Sequence, residues 1–134
     1  MEFDRVSATP EALALLATLA ERHGPLMIHQ SGGCCDGSSP MCYQREDFLI
    51  GDNDVLLGIV GSEVIAGGVP VWIGGAQYEY WSHTHLTIDL VRGRGAGFSL
   101  EAPEGYRFLT RSRLFSDAEA EGLAAAGPPH RGPL

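Results

Sequence analysis

Leu26-Met27-Ile28-His29-Gln30-Ser31-Gly32-Gly33-Cys34-Cys35-Asp36-Gly37-Ser38-Ser39-Pro40-Met41-Cys42 is the stretch on which the reading of this chain turns. Its apolar start reads as a short strand, Leu26 to His29. The Gly32-Gly33 pair that follows lets the backbone turn through positive φ, so the strand ends in a loop. All three cysteines of the protein fall within residues 34–42 of this loop. Loops fixed at strand ends are where proteins commonly hold reactive groups.

Working outward, Thr9-Pro10 opens a helix, with Thr9 as N-cap and Pro10 at the first helical position, where a missing N–H costs nothing. Ala12, Leu13, Leu16, Leu19 and Ala20 form its apolar stripe, and Gly24 stops it. On the other side of the loop, Tyr43 to Ile50 reads as a second strand, followed by the turn Gly51-Asp52-Asn53-Asp54. Val55 to Val60 is rich in strand formers. Val64 to Ile73 carries further strand signal, broken by Gly67-Gly68 and Pro70. Gln77 to Trp81 reads as one helical turn, and His85 to Val91 alternates as a half-buried strand. Gly93 to Gly97 is a turn, with Phe98 to Leu100 as the final strand. Ser116-Asp117-Ala118-Glu119 is a capping box for a helix reaching about Ala126, and 127–134 reads as a disordered tail. The order implies one α+β domain over 1–126, an N-terminal helix packed on a mostly antiparallel or mixed sheet.

The formal charge is −8, and every one of the nine basic residues is an arginine. An acidic chain without basic clusters argues against nucleic acid and anionic membrane as partners. The absence of lysine excludes Schiff-base chemistry and a phosphate-loop lysine. No apolar run reaches the roughly 20 residues of a membrane span, and Met1-Glu2-Phe3-Asp4-Arg5 does not start a signal peptide. An odd, clustered set of cysteines without an export signal favours free thiols or metal ligation and a cytoplasmic setting.

Cys34, Cys35 and Cys42 suit a thiophilic metal such as zinc, iron or copper. His29, at the strand end, and His83 and His85, two apart and on one face of an extended segment, are the candidates to complete a metal site. Alternatively, one of Cys34 or Cys35 is an attacking thiolate, or the cysteines are structural. Asp36 reads as a turn residue and Asp89 as a solvated strand position. Tyr78, Tyr80 and Trp81 read as core, or as one wall of a small-ligand pocket. Gly93-x-Gly-x-Gly97 has the wrong spacing for a dinucleotide loop and precedes a strand.

Ala76-Gln77-Tyr78-Glu79-Tyr80-Trp81, Leu86-Thr87-Ile88-Asp89-Leu90 and Gly97-Phe98-Ser99-Leu100 up to Pro103 resemble the second half of the HesB-like, A-type iron–sulfur carriers. Gly33-Cys34-Cys35-Asp36-Gly37 is similar to their glycine–cysteine loop. Those carriers have a Cys-Gly-Cys pair near the C-terminus, whereas Tyr106 to Phe115 here contains no cysteine. Taken whole, the chain most resembles domain-of-unknown-function family 779, small bacterial proteins that bear Gln-Ser-Gly-Gly-Cys-Cys-Asp-Gly-Ser and are often encoded beside aldehyde or alcohol dehydrogenases. The resemblance implies a HesB-like fold and an accessory role toward such a dehydrogenase partner. An iron–sulfur cluster normally takes four ligands, so one held by this loop would require a homodimer.

Overall fold

The structure is a computed structural model, and it describes residues 3–30, 40–93 and 99–134. Helix α1 (Pro10–His23) begins and ends where the sequence demands: Thr9 Oγ1 accepts from Ala12 N, and Gly24, at φ +84°, closes it with its N–H on Ala20 O. Among the described residues there are seven strands and two further helices. They are β1 (Val6–Ala8), β2 (Leu26–Gln30), β3 (Met41–Gln44), β4 (Asp54–Val60), β5 (Val69–Gly74), α2 (Gly75–Trp81), β6 (Thr84–Arg92), β7 (Tyr106–Leu114) and α3 (Asp117–Ala126). The capping box of α3 is complete, with Ser116 and Glu119 each bonded to the other's backbone N–H.

The strands form two mixed sheets, in the orders β1-β6-β7 and β3-β2-β5-β4. In the first, β1 runs parallel to β6 and β7 antiparallel to it. In the second, β2 and β5 are parallel neighbours flanked by antiparallel β3 and β4. One apolar cluster spans both sheets and the helix: Leu16 and Leu19 of α1, Ile28, Val71 and Ile73 of the larger sheet, and Leu86, Ile88 and Phe108 of the smaller. A bulge between Leu56 and Gly58 bends β4. A Cβ at Gly58 would stand 3.0 Å from Val6 Cγ1, so glycine here lets the two sheets approach each other. Among the described residues no helix is long and apolar enough to cross a membrane.

Three sequence expectations need correction. The strand expected over Tyr43 to Ile50 stops at Gln44, because its partner β2 begins only at Leu26 after Pro25. Arg45 to Asp47 turn instead, with Arg45 Nε donating to Leu26 O and Nη2 to Gly68 O. The strand expected from Val64 begins at Val69, since Gly67 and Gly68 take φ +77° and +65° in the preceding turn. Pro70 pairs with Ile59 before β2 joins at Val71, a position at the end of the central ladder that tolerates its missing N–H. Of the strand expected over Phe98 to Leu100, Phe98 lies outside the described residues and Ser99 and Leu100 lie in a turn; the last described strand is β7, which pairs with β6 along its whole length. Strand β1, absent from the sequence reading, is three residues long. Residues 130–132 lie along β4, where Leu56 N donates to His130 O and Gly132 N to Asp54 O, both at 2.8 Å.

Candidate functional site

Alternation along β2 sends Met27 and His29 to one face and Ile28 and Gln30 to the other. Ile28 enters the core, so His29 lies on the outer face of the larger sheet, between its register partners Met41 and Trp72. It is nevertheless buried, at 4% exposed, because Phe48 from the turn after β3 stacks on it with ring centroids 4.6 Å apart. His29 Nε2 meets Asp54 Oδ1 at 2.9 Å, and Asp54 Oδ2 accepts from Gly51 N at 2.8 Å. The tight turn before β4 therefore holds the carboxylate, and the carboxylate holds the imidazole. This pair stands at the point where the chain leaves β2 toward residues 31–39.

On the opposite face, Cys42 is paired with Ile28 and fully buried. Burial, and behind it the charge of Glu101, pushes its thiol well above the usual range. Its backbone is clamped, with Cys42 N donating to Ser99 Oγ at 2.9 Å and Leu100 N to Cys42 O at 3.0 Å. Ser99 in turn donates to the Glu101 carboxylate. Beside this cluster, Thr110 Oγ1 donates to Gln30 Oε1 at 2.7 Å, and both groups are buried. The Cys42 backbone, Ser99, Glu101, Gln30 and Thr110 are thus all hydrogen-bonded, as buried polar groups generally are.

Glu101 is 1% exposed. Burial raises its carboxyl above the ordinary range, against opposing hydrogen bonds from Ser99 and the backbone of Glu101 and Phe108. The fold therefore favours the protonated acid. The stability this confers is full below the unfolded value of about 4.3 and is lost as pH rises through the raised folded value. Glu101→Gln, uncharged throughout, should gain on the wild type as pH rises from 4.5 to 8. Urea midpoints of both proteins across that range test this. A gap that does not change with pH would show that Glu101 does not titrate differently in the fold.

The remaining candidates are dispersed. His85 is buried in the smaller sheet, with Nε2 on Ser7 Oγ and Nδ1 on Asp4 O, both at 2.9 Å. His83 precedes β6, so the two histidines do not share a strand; its ring is exposed and its carbonyl accepts from Phe115 N. Asp89 is ion-paired with Arg111 at 2.6 Å, which lowers its carboxyl, and accepts from Thr9 and Leu90 N. Trp81 is core, Tyr78 packs against it, and Tyr80 is exposed. Cys34, Cys35 and Asp36 lie outside the described residues. Among the described residues no group of three or more His, Cys, Asp or Glu side chains is placed to hold a metal ion. Among the described residues, His29 and Asp54 alone are brought together at the end of β2, as one imidazole with a carboxylate against it.

Sequence reasoning missed Asp54, Ser99 and Glu101. Asp54 had a signal, being the last residue of a turn that runs straight into a strand. The burial of Glu101 had none, since it depends on the approach of β3 and β7.

A family model described as a domain of unknown function (DUF779) matches residues 15–114, from within α1 to the end of β7. The chain belongs to that family. No curated protein and no solved structure matches it.

Proposed function

We propose that this member of the DUF779 family binds a thiophilic metal (zinc, iron or copper) or an iron–sulfur cluster through Cys34, Cys35 and His29. In this reading it serves as an accessory protein to an aldehyde or alcohol dehydrogenase. The observation that carries the metal assignment is the pairing of buried His29, at the end of β2, with the partly buried Asp54. A metal-ligating histidine almost always gives its other ring nitrogen to a carboxylate, which fixes tautomer and ring orientation. Cys42 is a poor thiolate, buried on the far face. His85 lies in the smaller sheet, bonded to Ser7 and Asp4. That leaves three ligands, so a cluster would be shared by two copies about a two-fold axis. The HesB-like resemblance agrees with this reading, and the dehydrogenase role rests on resemblance alone.

Protein purified without chelators should carry one of these metals by elemental analysis, or take it up under reducing conditions. Retention should weaken as pH falls, because thiols must lose protons to ligate. Wild-type protein that stays metal-free under such loading would overturn the proposal.

The second reading, a thiol enzyme, draws on the same pair, since an imidazole oriented by a carboxylate is also the base that activates a nucleophilic thiol. Iodoacetamide separates the two. Slow alkylation of Cys34 and Cys35 that accelerates after chelation supports ligation. Fast alkylation indifferent to chelators supports the enzyme, with His29 as general base.

A further inference from the structure

We propose that the cleft between α2, α3 and the chain leading into β1 binds a small organic anion, a carboxylate carried on an apolar body. The cleft is open to solvent and offers about 290 Å³, at the small end of ligand pockets. Its wall has two kinds of surface. Phe115 and Leu123 make an apolar side, and Arg5, Tyr78 and His83 make a polar one. None of the described residues lining it is an aspartate or glutamate, in a chain whose formal charge is −8.

The polar side is chemically one-sided. Arg5 is half-buried, and its Nη2 donates to Gly127 O at 3.0 Å, which anchors the guanidinium against the last turn of α3. That bond uses one of the five N–H donors of a group that is always charged and matches a carboxylate edge to edge. His83 is held at the mouth by its own carbonyl, which accepts from Phe115 N at 3.0 Å. Its exposed ring adds an N–H, and Tyr78, packed against the core, lines the same side. A guanidinium beside an imidazole N–H calls for an anionic acceptor. The facing ring of Phe115 and side chain of Leu123 call for an apolar body on the same molecule. Inorganic phosphate meets only the first demand and a neutral aromatic only the second. The site is separate from the groups assigned to the metal.

Calorimetric titration of the full chain with benzoate, benzamide and inorganic phosphate tests this, with amide chemical shifts to locate the bound probe. Benzoate should bind with shifts at Arg5, Tyr78, His83 and Phe115. Benzamide and phosphate should bind at least about tenfold more weakly, the cost of losing a charge-assisted pair or the apolar contact. Arg5→Gln should weaken benzoate by about tenfold or more, but it also removes a cap from α3. His83→Gln changes an exposed ring, keeps the fold intact, and should weaken benzoate severalfold. Benzoate binding no better than benzamide or phosphate, or unchanged in His83→Gln, would overturn the proposal. A thermal midpoint lowered by Arg5→Gln with benzoate affinity intact would leave Arg5 as a helix cap alone, and would overturn it equally.

Discussion

Replacing Phe108 with alanine is expected to lower the free energy of unfolding by about 3–5 kcal/mol, the range for deleting a fully buried aromatic ring. Phe108 has no exposed surface and is among the largest fully buried side chains of the protein. It sits on β7 opposite Leu90, in the apolar cluster that joins both sheets to α1. Strand β7 is hydrogen-bonded to β6 along its whole length, which limits collapse of the backbone into the vacated volume, so a cavity cost adds to the lost transfer energy. Small domains are stable by only about 5–15 kcal/mol, so the substitution should remove a large fraction of the total stability. Urea denaturation followed by circular dichroism measures the loss. A shift below about 1 kcal/mol would mean that β7 does not close the core.

Serine in place of Cys34 or of Cys35 is expected to abolish metal retention, because a neutral hydroxyl does not replace a thiolate toward zinc, iron or copper(I). Cys42→Ser should retain the metal, since its thiol faces the core beside Glu101. It should instead lower stability, by placing a hydroxyl where a small apolar group packs. Asp54→Asn keeps the shape at His29 but removes the orienting charge, and should weaken metal affinity about 10–100-fold. Competition against a chromogenic chelator reads all four variants on one scale. Retention in Cys34→Ser, or loss in Cys42→Ser, would relocate the site to the opposite face of the larger sheet.

The helices were legible because their signals are local. Thr9-Pro10 with Gly24, and Ser116 with Glu119, satisfy or replace backbone groups within one turn of themselves, and the structure shows both sets of caps in place. Strand β6 was legible from its own alternation. Strand β7 was not, because Arg107, Arg111 and Arg113 dilute its apolar content. Only the full-length pairing with β6 makes a strand of it, with Arg111 set against Asp89 and Arg113 against Glu119. Strand β1 is too short to show a period and exists through its pairing with β6.

The same division runs through the candidate site. His29 could be singled out from sequence because it follows an apolar run and precedes a glycine-rich cysteine loop. That it is held by Asp54, twenty-five residues away, follows from β4 lying beside β5 and β5 beside β2. Cys42 looked equivalent to its neighbours in the nine-residue cluster. Strand alternation and the register Ile28 to Cys42 turned it into the core, away from His29. The sequence by itself determined what depends on bonds within a few residues: the caps, the turns, the strand into the cysteine loop, the charge and the thiols. Which faces those groups share was decided by the tertiary structure, because a strand's partners, and thus the side of the sheet its residues reach, are chosen by chain segments far away.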